Sequence, residues 1–343
     1  MIKYLTPFIT AFILTVFLII PAIWFSRKIK WENRKSGRHI HRKNISRVGG
    51  LVMGLVFNAV IFVNRDLYLS GEIYGFVLAN IIVLIVGLWD DIREVFWKIQ
   101  FFSQIAVAVL IFVIGIRIYY ITNPLTGGII NLDSGLGVIF SAILVIIWIV
   151  MVMNAVNWAD GIDGLSSGIA LITAGAIFFL SLRPEVNQPA IAIISSILAG
   201  TIMGFLIFNF YPSKILAGTS GSMFMGFSLA VLAIFSGTKI ATALLVLVIP
   251  IIDFLWVIGE RIRNHKSIFK PDKNHLHYKL MELGWSQRKI VISYWAITAV
   301  IAIIALKTRY VGKSITLIVT ATVMISALIF INKKISAVHE AEK

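Results

Sequence analysis

The chain has 343 residues, 59% of them apolar and only 14% charged, with a mean hydropathy of +0.92 and a formal net charge of +15. Soluble proteins carry about 25% charged residues, so an ordinary soluble fold is excluded and the chain belongs in a bilayer. With no cysteine in the sequence, disulfide and thiolate chemistry are excluded as well.

A helix that crosses a bilayer uses about 20 residues. Apolar runs of that kind lie at 4–26, 48–64, 72–89, 99–118, 136–153, 165–182, 189–209, 222–237, 240–259, 290–306 and 312–332. They predict an all-α polytopic membrane protein of about 11 transmembrane helices, one domain over 1–343 with a short tail at 333–343. Loops are too short for a separate soluble domain. The first run is long, lacks a small-residue cleavage site and is followed by a basic loop, so it reads as an uncleaved first span rather than a secretory signal; an arginine-rich presequence does not fit either.

Eleven spans place the segments 27–47, 90–98, 154–164, 210–221, 260–289 and 333–343 on one face. Of the 31 Lys and Arg residues, 23 fall on that face and 8 on the other. The positive-inside rule makes the first face cytoplasmic. The charge therefore reads as topology, a basic rim toward anionic headgroups, and not as a sign of nucleic-acid binding. Orientation rules say little about acids, yet all 6 histidines and 11 of the 16 acidic residues share the same face, with a twelfth, Asp253, inside a span. That excess of carboxylates and imidazoles is the first sign of a site.

Along the chain, Ser46-Arg47-Val48-Gly49-Gly50 is a glycine turn before the second span, of the kind that lets a phosphate approach a helix N-terminus. At the end of the third span Asp90 and Asp91 stand side by side. Paired carboxylates at a membrane boundary are costly unless a cation or substrate compensates them. The segment Asn154 to Leu165 places Asn154, Asn157, Asp160 and Asp163 at every third position, with Gly161 and Gly164 between them. A tight helical turn would put these in one row of amides and carboxylates, able to read a base or ribose and to hold a hard cation through oxygen. A second glycine turn, Gly218-Thr219-Ser220-Gly221-Ser222, precedes the eighth span. Asp253 lies within the ninth span, three residues after Pro250, and as an intramembrane acid is a supporting candidate. The loop 260–289 carries His275 and His277 among Lys and Arg, a setting that suits a phosphate better than zinc.

In this order the motifs resemble the polyprenyl-phosphate N-acetylhexosamine-1-phosphate transferases (glycosyltransferase family 4 type), over nearly the whole chain. His41 to Gly50 looks like that family's first cytoplasmic loop, Asp90-Asp91 like its aspartate pair, Asn154 to Leu165 like its nucleotide and metal segment, and Pro271 to His277 like the His-x-His loop of the undecaprenyl-phosphate N-acetylglucosamine-1-phosphate transferase branch. The resemblance implies that a polyprenyl phosphate attacks a UDP-N-acetyl sugar at the plasma membrane, facing the cytoplasm, and starts a lipid-linked surface glycan. It implies Asp90 and Asp91 as catalytic residues, with Asp90 orienting or deprotonating the lipid phosphate. Arg47, Lys98, Asn154, Asp160, Asp163, His275 and His277 would bind substrate. Asn157 and Asp163 would hold Mg²⁺, with Mn²⁺ as the alternative. A homodimer is compatible with the resemblance.

One position departs: the family's Gly-Asp-x-Gly-Ser, whose Asp is a metal ligand, reads Gly218-Thr219-Ser220-Gly221-Ser222 here. The expectation is an active enzyme with a rearranged or weakened Mg²⁺ site. Two alternatives stand beside it, phospho-N-acetylmuramoyl-pentapeptide transferase-like activity and an inactive relative that binds lipid or UDP-sugar. A transporter would want polar groups through the bilayer centre and paired repeats, and neither is present.

Overall fold

The computed structural model describes residues 1–28, 45–123, 126–235, 239–268 and 274–341. Among these the chain is built from thirteen helices and one small hairpin. The helices are α1 (Ile2–Lys28), α2 (Gly49–Val63), α3 (Gly71–Arg93), α4 (Trp97–Ile114), α5 (Leu136–Ala159), α6 (Leu165–Ser181) and α7 (Pro189–Asn209), then α8 (Gly218–Ile234), α9 (Lys239–Val246), α10 (Val248–Arg263), α11 (Leu276–Glu282), α12 (Gln287–Lys307) and α13 (Tyr310–Ala341). Residues 29–44, including His39 and His41, lie outside the described residues.

Every expected span coincides with a helix or a bent pair of helices. Seven helices are long and apolar enough to cross a membrane: α1, α3, α4, α5, α7, α12 and α13. A multi-pass membrane protein follows. The remaining runs form helices shorter than a spanning helix uses. Helices α2, α6 and α8 have 15, 17 and 17 residues, about 22–26 Å at 1.5 Å per residue and below the ~30 Å of a hydrocarbon core. The ninth run is broken, with α9 and α10 bent by 73° between Val246 and Val248, upstream of Pro250.

Position in the bundle accounts for the short helices. Helix α8 is buried continuously from Ser220 to Ile234, so its neighbours are protein rather than lipid. Hydrogen bonds lace it in place: Asn80 of α3 donates to Ser228 Oγ at 3.2 Å, and Trp148 of α5 donates to the Ala230 carbonyl at 3.0 Å. In an apolar interior such groups must find partners. By contrast, α1 and α13 expose rows of large apolar side chains such as Phe17, Trp24, Ile318 and Phe330, the composition lipid contact favours.

Three further differences from the sequence reading are local. Helix α4 ends at Ile114 with Gly115 in a left-handed conformation, and the chain then forms an antiparallel hairpin, β1 (Tyr120–Thr122) with β2 (Ile129–Asn131), pairing Tyr120 with Asn131. The expected run to 118 mistook alternating apolar residues for helix. The expected tail is a continuation of α13, which stays helical through Ala341. Within the loop after α10 lies the short helix α11. Glu260 of α10 accepts from Lys279 of α11 at 3.5 Å and from Asn332 of α13 at 2.7 Å, which ties three elements at one carboxylate.

Candidate functional site

Asp90 and Asp91 fall in the last turn of α3, not beyond it, because the helix runs on to Arg93. Both point at the first turn of α8. Asp91 Oδ1 accepts from Thr219 N–H at 2.8 Å, and its Oδ2 accepts from Ser220 N–H at 3.0 Å and from Ser220 Oγ at 2.7 Å. A carboxylate of one helix thus caps the N-terminus of another, where free N–H groups and the helix dipole favour negative charge. Gly218 makes this approach feasible: its φ is +69°, and a Cβ there would stand 2.5 Å from Asp91 Oδ2. Arg47 adds a guanidinium 3.9 Å from Asp91 Oδ1. It is aligned by a backbone bridge in which Leu216 N–H donates to the Ser46 carbonyl at 2.8 Å and Gly49 N–H to the Leu216 carbonyl at 3.1 Å.

Asp90 is held differently. Its Oδ1 accepts from Val95 N–H at 2.8 Å and from Gln100 Nε2 at 2.5 Å, and its Oδ2 accepts from the Thr219 hydroxyl at 2.6 Å. The turn Gly218–Ser222, expected to precede the eighth span, is therefore the first turn of α8 itself and the meeting point of both aspartates.

The row expected at Asn154 to Asp163 does not form. Helix α5 runs to Ala159, so Asn154 and Asn157 lie on it, and the chain then turns out of the helix. The four side chains reach four different partners. Asn154 donates to Gln104 Oε1 at 2.6 Å, and Asn157 Oδ1 accepts from Ser222 Oγ at 2.6 Å. Asp160 accepts from Ser166 Oγ, and Asp163 Oδ2 accepts from Ser213 N–H at 3.0 Å. Asn209, at the end of α7, pins the turn by accepting from Gly164 N–H at 3.1 Å and Ser167 Oγ at 2.8 Å. Burial pushes the Asp160 carboxyl up to about 7, against the lowering effect of the Ser166 hydrogen bond and of Arg47.

His275 and His277 are buried, not displayed on an open basic loop; they are 5% and 1% exposed. Asp253 Oδ2 lies 2.8 Å from His275 Nδ1, while its Oδ1 accepts from Leu276 N–H at 2.8 Å. The intramembrane acid thus anchors the histidine loop. His277 stacks on His275 with ring centroids 5.6 Å apart, and its Nε2 abuts Gly161, where any side chain would collide with it. Burial lowers His277 to about 3, so the ring is neutral. His277 walls the Asp160–Gly164 turn at Gly161, and Trp158 packs edge-on to His275 at 5.3 Å.

Lys98 is not drawn to the aspartates. It is exposed at the start of α4, its ammonium 5.8 and 5.7 Å from the Phe96 and Trp97 rings. Residues that sequence reasoning missed are Gln100, Gln104 and Asn209. The first two were detectable as a polar pair one turn apart in an otherwise apolar helix.

The expected Mg²⁺ can be tested against these donors. Each of the four oxygens of Asp90 and Asp91 already accepts a hydrogen bond, Asn157 Oδ1 accepts another, and among the described residues no three His, Asp or Glu side chains gather as a metal would require. Thr219 supplies a hydroxyl where a charged ligand was wanted. These residues do not fit a cation held between the aspartate pair and α8.

Comparison with known proteins gives the arrangement its context. Residues 73–237 match the family described as glycosyl transferase family 4. A Bacillus subtilis protein named "Probable undecaprenyl-phosphate N-acetylglucosaminyl 1-phosphate transferase" is 29% identical over 96% of this chain and 90% of its own. The decaprenyl-phosphate N-acetylglucosaminephosphotransferase of Mycobacterium leprae is 32% identical over 85% of this chain and 79% of its own. The phospho-N-acetylmuramoyl-pentapeptide-transferase of Halalkalibacterium halodurans is 31% identical over 88% and 96%.

Proposed function

The chain belongs to glycosyl transferase family 4, and from that membership we propose that it transfers N-acetylglucosamine-1-phosphate from UDP-N-acetylglucosamine to a polyprenyl phosphate, releasing UMP. A lipid phosphate oxygen forms a bond to the β-phosphorus of the sugar nucleotide. The bond from that phosphorus to the bridging oxygen breaks, and UMP leaves with the electron pair. The product is a lipid-linked diphosphosugar that stays in the membrane.

The observation that carries this reading is the convergence of three distant segments. The end of α3, the start of α8 and the end of α5 meet through Asp91 to Ser220, Asp90 to Thr219 and Asn157 to Ser222. A phosphate lipid must come from the bilayer and a nucleotide from water, so a helix-end cluster is where both can reach. In this proposal Asp90 and Asp91 face the lipid phosphate, with Arg47 offsetting its charge. The Asn154 to Asp163 segment and the histidine loop serve the nucleotide and sugar phosphate. Mg²⁺ or Mn²⁺ would enter on the nucleotide's diphosphate and offset its charge.

The finer topology is part of the same proposal: eleven spans, with α2, α6, α8 and the α9–α10 pair as inner spans, in the plasma membrane with the site toward the cytoplasm. Undecaprenyl phosphate is the proposed acceptor. The test is UMP release by the purified protein in detergent with polyprenyl phosphate and a panel of UDP-sugars. Release with UDP-N-acetylglucosamine is expected. Release only with UDP-N-acetylmuramoyl-pentapeptide would move the chain to the muramoyl-pentapeptide branch, and no release with any donor would sink the transferase reading.

A further inference from the structure

Two adjacent carboxylates at the end of an apolar helix carry a large cost of desolvation and mutual repulsion unless something offsets both. At a site with a third carboxylate a divalent cation does that. Here the offset comes from the protein itself. Asp90 accepts from Val95 N–H, Gln100 Nε2 and the Thr219 hydroxyl; Asp91 accepts from Thr219 N–H, Ser220 N–H and Ser220 Oγ, with Arg47 beside it. The distances run from 2.5 to 3.0 Å for the hydrogen bonds. Thr219 touches both aspartates, through its hydroxyl on Asp90 and its backbone N–H on Asp91.

Replacing Thr219 by a carboxylate would set a third negative charge within hydrogen-bonding range of Asp90 Oδ2, which then needs a cation between them. A hydroxyl at the same place donates a proton instead. It removes the repulsion and supplies the contact in one step. Mg²⁺ takes near-octahedral oxygen ligands at about 2.0–2.1 Å; between Asp90 and α8 it would find a neutral hydroxyl already donating to Asp90 Oδ2, not a third carboxylate.

We propose that Thr219 is a positioning residue that bridges Asp90 and Asp91 and holds the pair in its working geometry with no divalent cation bound between them. The role in transfer rests on the reading that this pair meets the lipid phosphate; the bridge itself does not.

Thermal unfolding of the purified, ligand-free protein in detergent, in EDTA and in MgCl₂, tests the bridge without any turnover. The wild type is expected to unfold within ~1 °C of the same midpoint in both, and Thr219→Ser to match it. Thr219→Val loses the donor and drops by roughly 2–4 °C in both buffers, a shift of the size a lost buried hydrogen bond produces. Thr219→Asp drops in EDTA and recovers in MgCl₂. The bridge is overturned if MgCl₂ raises the wild-type midpoint as much as that of Thr219→Asp, if Thr219→Asp shows no response to MgCl₂, or if Thr219→Val equals the wild type.

UMP release supplies the second readout. Thr219→Val is expected to lose at least ~10-fold in kcat with KM for UDP-N-acetylglucosamine unchanged, Thr219→Ser restoring it. Midpoints as described with no UMP release from any donor by the wild type would leave the bridge standing and remove the transferase reading. Normal release by Thr219→Val would remove its part in transfer.

Discussion

At the Asp90–Asp91 end of the site each carboxylate oxygen accepts a hydrogen bond from a neighbour at 2.5–3.0 Å. At the histidine end Asp253 holds the His275 ring and the Leu276 amide, yet the adjoining His277 keeps a buried Nε2 with no hydrogen-bond partner among the described residues. A buried polar atom left unmet carries a cost, and this one abuts Gly161, beside Asp160, in the turn that would face the nucleotide. One end is complete before any ligand arrives, and the other retains a polar demand. Binding of the nucleotide is therefore expected to rearrange the second end and leave the first in place.

The largest effect should come from removing the anchor of the histidine end. Asp253→Ala leaves the His275 ring and Leu276 N–H without their acceptor; a cost of about 3–5 kcal/mol is expected, read as a lower unfolding midpoint in detergent, with loss of UMP release. An unchanged midpoint would show that this end is held by packing alone. Next is Asp160. Its carboxyl ionises at 3.8 in the unfolded chain but only at about 7 in the fold. Between those values the unfolded state releases its proton and the folded state keeps it, so stability falls as pH rises from about 4 to 7. Asp160→Asn lacks this loss. Its midpoint should gain on the wild type over that window and run parallel outside it; a constant offset at every pH would contradict the burial of Asp160.

The contrast between the ends is sharpened by His277→Leu, which removes the unmet nitrogen at similar volume. Stability should be unchanged or higher by about 1 kcal/mol, while KM for UDP-N-acetylglucosamine rises. A clear loss of stability would mean that the nitrogen already has a partner and that the two ends are alike. The smallest effect is expected from Lys98→Ala. The side chain is exposed and lies over Phe96 and Trp97 rather than near the aspartates, so stability should shift by less than ~0.5 kcal/mol and UMP release by only a few-fold. A hundredfold loss would place Lys98 on a phosphate after all.

Much of this layout was legible from residues. Apolar run length located each of the seven helices long and apolar enough to cross a membrane, and the motif segments end up touching one another. The parts that were not legible have physical reasons. Run length reports hydropathy, not whether neighbours are lipid or protein, so the short buried α8 looked like any other span. Spacing of three at Asn154, Asn157, Asp160 and Asp163 suggested one row, but a helix that stops at Ala159 sends its last residues in separate directions. His275 and His277 sat among Lys and Arg in sequence, and nothing local revealed that Asp253, twenty-two residues upstream, would draw them inside. Gln100 and Gln104 were visible in α4 but had no motif to name them.

The carboxylate of Glu260 joins α10, α11 and α13. Helix α13 is the least buried of the candidate spans, with 11% of its window inside the protein. Asn332, Glu260 and Lys279 link it to the short helix that begins at Leu276, next to His275. The helix with the least protein around it is thereby tied, through one carboxylate, to the segment that carries both histidines.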